Sequence, residues 1–198
     1  MRILRPFLAV AAAAAWFVTC LAWAQPAILY DVGGKFDKSF NEAAFHGMER
    51  WRKESGKKYL ELEISKESQR ESAVRSLAKK GASPIIVVGY EQAPAVEKVS
   101  KEFPMLHFAI VDMVVEGPNV QSVVFKEHEG SFLVGALAAM VSKTGKVGFI
   151  GGMDIPLIHR FGCGFEQGVR FVRRNTEVFS DMTGSTGAAW HDPARGAE

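Results

Sequence analysis

The sequence predicts an α/β fold on a parallel sheet, and three observations carry that prediction. Short apolar runs alternate regularly with amphipathic helical stretches. "PIIVVG" and "LHFAIVD" are continuously apolar, as strands covered on both faces are. Strands in such an alternation run parallel through right-handed crossovers, so their carboxyl ends share one edge, where ligands bind. Asp31, Gly89 and Asp112 all fall at that edge.

Ala27 to Val32 reads as the first strand. Ser39 to about Ser55 is helical, with Phe40, Ala44, Met48 and Trp51 on related faces. "YLELEI", Tyr59 to Ile64, alternates and puts Leu60, Leu62 and Ile64 together. Ser68 to Lys80 is a helix stopped by Gly81. After "PIIVVG", Gln92 to Phe103 is helical and ends before Pro104. "LHFAIVD" and "VQSVVF" supply two more strands.

From Phe125 the pattern restarts. Glu129 to Ser142 is a helix in which Gly130, Gly135, Ala136, Ala138 and Ala139 permit close packing. "KVGFIGG" is a strand, Ile158 to Arg174 a helix and Thr176 to Met182 a strand. Asp192 caps and Pro193 opens a helix of about one turn, so the second α/β unit is expected to be incomplete. The expected organisation is a leader over 1–24, a first lobe over 25–125 and a partial second lobe over 126–198.

The leader is expected from Arg2 and Arg5, the apolar run Phe7 to Val18, and Ala22-Trp23-Ala24, a small-x-small site for cleavage after Ala24. The run is shorter than the roughly 20 residues a membrane-spanning helix needs. Lipidation at Cys20 is the second choice, because Thr19 is larger than the Gly, Ala or Ser usual before a lipoprotein cysteine. Of the net charge of +2, both units come from Arg2 and Arg5, so the exported chain is near neutral. No basic stripe suggests nucleic acid. One cysteine, Cys163, then remains and forms no internal disulfide; it is expected as a small core residue.

Chemical motifs are missing. The loop Gly33-Gly34-Lys35-Phe36 lacks the spacing of a dinucleotide fingerprint, and neither a phosphate loop nor a nucleophile elbow follows any strand. His128 between Glu127 and Glu129 makes no metal set, because adjacent helical side chains diverge. His46 and His159 stand alone. No enzyme, cofactor or metal is expected.

What remains is "YDVGGKFDKSFNEAAFHG". An aspartate ends a strand, two glycines follow, and a phenylalanine sits among hydrogen-bonding residues at a helix start. "DVGGKFDKSFNEAAFHG", "HFAIVD", "EGSFLVG" with "GFIGGMDIP", and "DPARG" together resemble the basic membrane protein family of periplasmic ligand-binding proteins, which includes purine nucleoside receptors. The resemblance runs from Ala27 to Glu198. It implies a type I periplasmic-binding fold, two Rossmann-like lobes with parallel sheets that close on a ligand, the second truncated here. It also implies delivery of a small molecule, a purine nucleoside foremost, to an ABC permease. By motif, Asp31, Ser39, Phe40 and Asn41 form the first lobe's wall. Asp112 meets the base edge or ribose, and Phe161 is the opposing aromatic, with Phe165 the other choice. A periplasmic sensing module for a membrane receptor is the alternative function, and a flavin or sugar-like molecule the alternative ligand.

Overall fold

A computed structural model describes residues 24–198; the expected leader, with Cys20, lies outside them. The described residues form two compact units that divide between Val124 and Phe125.

The first unit is a five-stranded, wholly parallel sheet in the order β2-β1-β3-β4-β5. Its strands are β1 (Ala27–Tyr30), β2 (Leu60–Glu63), β3 (Ile85–Val88), β4 (Phe108–Val111) and β5 (Val120–Val123). Helix α1 (Phe40–Ser55) joins β1 to β2, α2 (Arg70–Lys79) joins β2 to β3, and α3 (Ala93–Glu102) joins β3 to β4. The two-residue period of each strand sorts the core. Ala27, Leu29, Ile85, Val87, Phe108 and Ile110 pack with Val74, Leu77, Val96 and Val99 of α2 and α3. Ile28, Tyr30 and Val88 point the other way, onto Met48, Ala44, Phe45 and Trp51 of α1. Helices therefore cover both faces, which is why β1 and β3 read as unbroken apolar runs. In β2, at one edge of the sheet, only Leu60 and Leu62 pack inward while Glu61 and Glu63 are exposed.

The strands are shorter than the sequence suggests, because pairing stops where the chain turns. Asp31, Val32 and Asp112 lie just past their strands, and short 3-10 turns (Glu67–Gln69, Tyr90–Gln92) precede α2 and α3.

The second unit holds α4 (Glu127–Val141), β6 (Lys146–Met153), α5 (Pro156–Val172), β7 (Glu177–Gly184), a 3-10 turn and the one-turn helix α6 (Pro193–Ala197). Strands β6 and β7 pair in parallel, from Lys146 with Glu177 to Met153 with Gly184. Helices α4 and α5 cross with backbones almost touching. A Cβ at Gly135 would lie 1.9 Å from the Phe165 carbonyl oxygen, and one at Gly168 would lie 1.9 Å from that of Phe132. Gly130, also expected at a close contact, faces open space instead. The far side of α4, with Leu133, Leu137 and Met140, is exposed.

Helix α5 turns Cys163 outward. It is exposed rather than a core residue, and the Gln167 Nε2 donates to its Sγ at 3.1 Å. Glu127 is buried and faces Arg160, whose Nε and Nη2 approach at 3.3 and 3.4 Å. Asp192 caps α6 as expected, its Oδ1 accepting the Arg195 N–H at 2.9 Å.

Candidate functional site at the carboxyl edge

In the order β2-β1-β3-β4-β5, connections leave β1 toward β2 on one side while β3 lies on the other. This makes the gap between the carboxyl ends of β1 and β3 the crevice of the sheet. Asp31 follows β1 and Gly89 follows β3. They are in near contact: a Cβ added to Gly89 would sit 2.4 Å from Asp31 Oδ2. Gly89 also has φ +104°, a backbone conformation that side-chain-bearing residues rarely adopt.

The two carboxylate oxygens of Asp31 differ. Oδ1 accepts the Val32 N–H at 2.8 Å and lies 3.5 Å from Arg70 Nη2. Oδ2 accepts no hydrogen bond among the described residues. Arg70, the first residue of α2, is mostly buried and also pairs with Glu91, just past Gly89. Its Nε is buried without a hydrogen bond among the described residues. One guanidinium thus ties together the ends of β1, β3 and α2.

The loop from Asp31 to α1 is organised from within. Asn41 is 1 % exposed. Its Oδ1 accepts the Asp31 N–H at 3.0 Å, and its Nδ2 donates to the carbonyls of Asp31 and Gly34, both at 3.1 Å. The amide expected on the ligand wall is therefore engaged with the loop behind it. Ser39 occupies the N-cap position of α1, but its hydroxyl makes no capping bond. Asp37 does that work: its carboxylate accepts the N–H groups of Ser39 and Asn41 at 2.9 Å and of Glu42 at 3.2 Å. Burial pushes the Asp37 carboxyl up, but these backbone bonds outweigh it and hold it below the usual carboxylate range.

With its backbone fixed this way, Phe40 begins α1 at 37 % exposure. Nearby, Phe36 meets Phe45 edge-on with centroids 5.4 Å apart, and the Lys35 ammonium stands 4.9 Å from the Phe45 centroid. Asp112 follows β4 on the same sheet edge with φ +70°, and its N–H donates to the Val123 carbonyl at 2.9 Å. A left-handed non-glycine residue stores of order 1 kcal/mol of strain, the kind of cost found at functional positions.

The two aromatic choices in the second unit differ in burial. Phe165 is buried in the core against Phe149, their centroids 5.9 Å apart. Phe161, one turn earlier on α5, is half-buried. His159, at the start of α5, faces Asp154 just past β6, with Nε2 to Oδ1 at 2.6 Å, and both are exposed. Asp154, His159, Asp181 and Ser185 line a polar hollow of about 430 Å³. No cluster of metal-binding type occurs among the described residues. No helix among them is long and apolar enough to cross a membrane.

Sequence reasoning missed Asp37, Arg70 and Glu91. A signal existed only for Asp37, which stands four residues before Asn41 in a helix-opening pattern.

Comparison with known proteins adds four findings. A family model described as "ABC transporter substrate-binding protein PnrA-like" matches residues 24–198. A "CD4+ T-cell-stimulating antigen" of Listeria monocytogenes is 35 % identical over 158 residues, 77 % of this chain and 44 % of that protein. An "ABC transporter nucleoside-binding protein BmpA" of Lactococcus lactis subsp. cremoris is 33 % identical over 177 residues, 87 % of this chain and 49 % of that protein. Among solved structures, an ABC transporter solute-binding protein from Aeropyrum pernix K1 superposes with a TM-score of 0.74 at 29 % identity, over 84 % of this chain and 50 % of the other. The chain spans about half the length of the relatives it matches.

Proposed function

The chain belongs to the family of PnrA-like ABC transporter substrate-binding proteins, and on that footing we propose that it is ligand-capturing chain of an importer's solute receptor, with a nucleoside as its ligand. The observation that carries this reading is the carboxyl edge of the five-stranded sheet. There Asp31 keeps one carboxylate oxygen beside Gly89 without a hydrogen bond among the described residues, and Phe40 and the strained Asp112 belong to the same edge. A partly exposed aromatic ring offers a stacking face worth roughly 1–3 kcal/mol per base. Carboxylates accept charge-assisted hydrogen bonds from ribose hydroxyls or ring N–H groups. Phe161 is the aromatic ligand residue proposed for the second unit. Ser39 contributes at the exposed start of α1, and Asn41 acts by holding the loop. The similarity to a nucleoside-binding relative supports the ligand class.

Binding without chemical turnover is the proposed activity. The partner is an ABC permease, and the proposed location is outside the cytoplasmic membrane, reached through the leader cleaved after Ala24. Ligand acts by stabilising whichever conformation it contacts more, and the permease reads that conformation.

The test is native mass spectrometry of the complete reading frame purified from the periplasm, followed by denaturation and identification of any released molecule. A purine nucleoside supports the reading. A flavin or a sugar overturns the ligand assignment while keeping the receptor. An empty protein that also ignores adenosine, guanosine and inosine overturns the nucleoside reading.

A further inference from the structure

We propose that Arg70 and Gly89 position Asp31 for the ligand, Gly89 by leaving the room that the Asp31 carboxylate itself occupies, so that ligand donors bind at Oδ2. The proposal deepens the nucleoside-receptor reading and rests on it. Three observations carry it. The Val32 N–H, 2.8 Å away, and the Arg70 guanidinium, 3.5 Å away, both lie on Oδ1, which fixes the rotation of the carboxylate. Oδ2, which faces Gly89, is left without a protein donor among the described residues. The third is Gly89 itself, where a Cβ would stand 2.4 Å from Oδ2, 3.1 Å from Cγ and 3.3 Å from Cβ of Asp31.

The same Arg70 nitrogen, Nη2, also pairs with Glu91, and more closely than with Asp31. Asp31, Arg70 and Glu91 side chains are all mostly buried, at 19 %, 14 % and 17 % exposure. A guanidinium suits this mostly buried place because it is always charged and more weakly hydrated than an ammonium. Residue 70 opens α2, residue 91 follows β3 and residue 31 follows β1, so the bridge spans the crevice between β1 and β3. Arg70 is a positioning residue here, acting on the ligand through Asp31. Glu91 is the second carboxylate that holds Nη2 in place beside Asp31.

The test uses the full-length protein, stripped of ligand by unfolding and refolding, with adenosine as the titrant and inosine and guanosine beside it. Gly89→Ala and Arg70→Met should each weaken binding by about tenfold to a hundredfold, the loss of one well-placed charge-assisted hydrogen bond. Arg70→Lys should recover part of that loss. The discriminating variant is Arg70→Met combined with Asp31→Asn. If Arg70 acts through Asp31, it should add less than about threefold to the effect of Asp31→Asn alone. Should Arg70→Met fail to fold because Glu91 is stranded, Arg70→Met/Glu91→Gln replaces it in the same cycle. Full multiplication of the two effects, or single variants that bind like the wild type, overturns the proposal while a binding wild type upholds the receptor. A wild type that binds none of the three nucleosides overturns the receptor reading, and this inference with it.

Discussion

Replacing Asn41 with alanine tests how the candidate site is built. The side chain is 1 % exposed and makes three hydrogen bonds, at 3.0, 3.1 and 3.1 Å, to the backbone at Asp31 and Gly34. Each such bond contributes a net ~0.5–1.5 kcal/mol, and stranding buried partners adds to the loss. Water can reach the exposed side of the loop and recover part of it, so the expected destabilisation of the first unit is about 2–4 kcal/mol. Urea unfolding followed by Trp51 fluorescence measures it, since Trp51 packs against the α1 face of the same sheet. Asn41→Asp is the sharper variant. It keeps an acceptor for the Asp31 N–H but turns a donor toward the two carbonyls into an acceptor. At neutral pH it should destabilise at least as much as alanine, and it should recover on acidification as the new carboxyl gains a proton to donate. Nucleoside affinity should fall with either change, because the Asp31 backbone is no longer held. An Asn41→Ala protein within about 0.5 kcal/mol of the wild type, the ordinary range of a surface substitution, would refute the view that this amide organises the loop.

Asp37→Asn should cost about 1 kcal/mol at neutral pH, the usual value of a helix cap. Because the folded pKa is lowered, that advantage of the wild type is complete above the unfolded aspartate value of about 3.9 and disappears as pH falls through the folded one. Melting both proteins across pH 2–7 checks it, and curves that stay parallel to the acid end would count against the cap. Phe40→Ala should weaken nucleoside binding by roughly fivefold to a hundredfold with little change in melting temperature, since the ring is partly exposed; calorimetric titration reads the first and thermal melting the second. Gly135→Ala should disrupt the α4–α5 crossing, where its Cβ would meet the Phe165 carbonyl oxygen at 1.9 Å, whereas Gly130→Ala, which meets nothing within 4 Å, should be neutral or stabilising by up to about 1 kcal/mol. Hydrogen exchange on α4 distinguishes the two.

Periodicity reveals the elements because both faces of the first sheet are covered, which leaves β1 and β3 as unbroken apolar runs and β2 as an alternating one. It also places Asp31, Gly89 and Asp112 on one edge, since every strand of a parallel sheet ends on the same side. Other features depend on distance in space and leave no local trace. Arg70 lies 39 residues from Asp31 and 21 from Glu91, and their meeting follows from β1 sitting beside β3. Phe161 and Phe165 are one turn apart on the same side of α5, so helical spacing does not predict their different burial, which follows from the Phe149 ring facing Phe165. Gly130 and Gly135 read alike until α5 is seen against only one of them. Cys163 differs from expectation for the reverse reason: amid "FGCGFEQG" the next two residues, Gly164 and Phe165, are buried, but its own direction on the helix is outward.

The strand order also governs how the chain acquires its structure. β1 is made first yet ends between β2 and β3. Its second neighbour is complete only at Val88, and synthesis at 5–20 residues per second puts that roughly 3–12 s after Tyr30. For that interval one edge of the most buried strand is open, with Ile28 and Tyr30 covered only by α1. Each later strand then joins on the same side, β3, β4 and β5 in turn, so the sheet grows in one direction from a nucleus that cannot close before β3 arrives. A nascent chain halted in α2 would present β1 to any passing strand, and that is where a holding chaperone has most to protect.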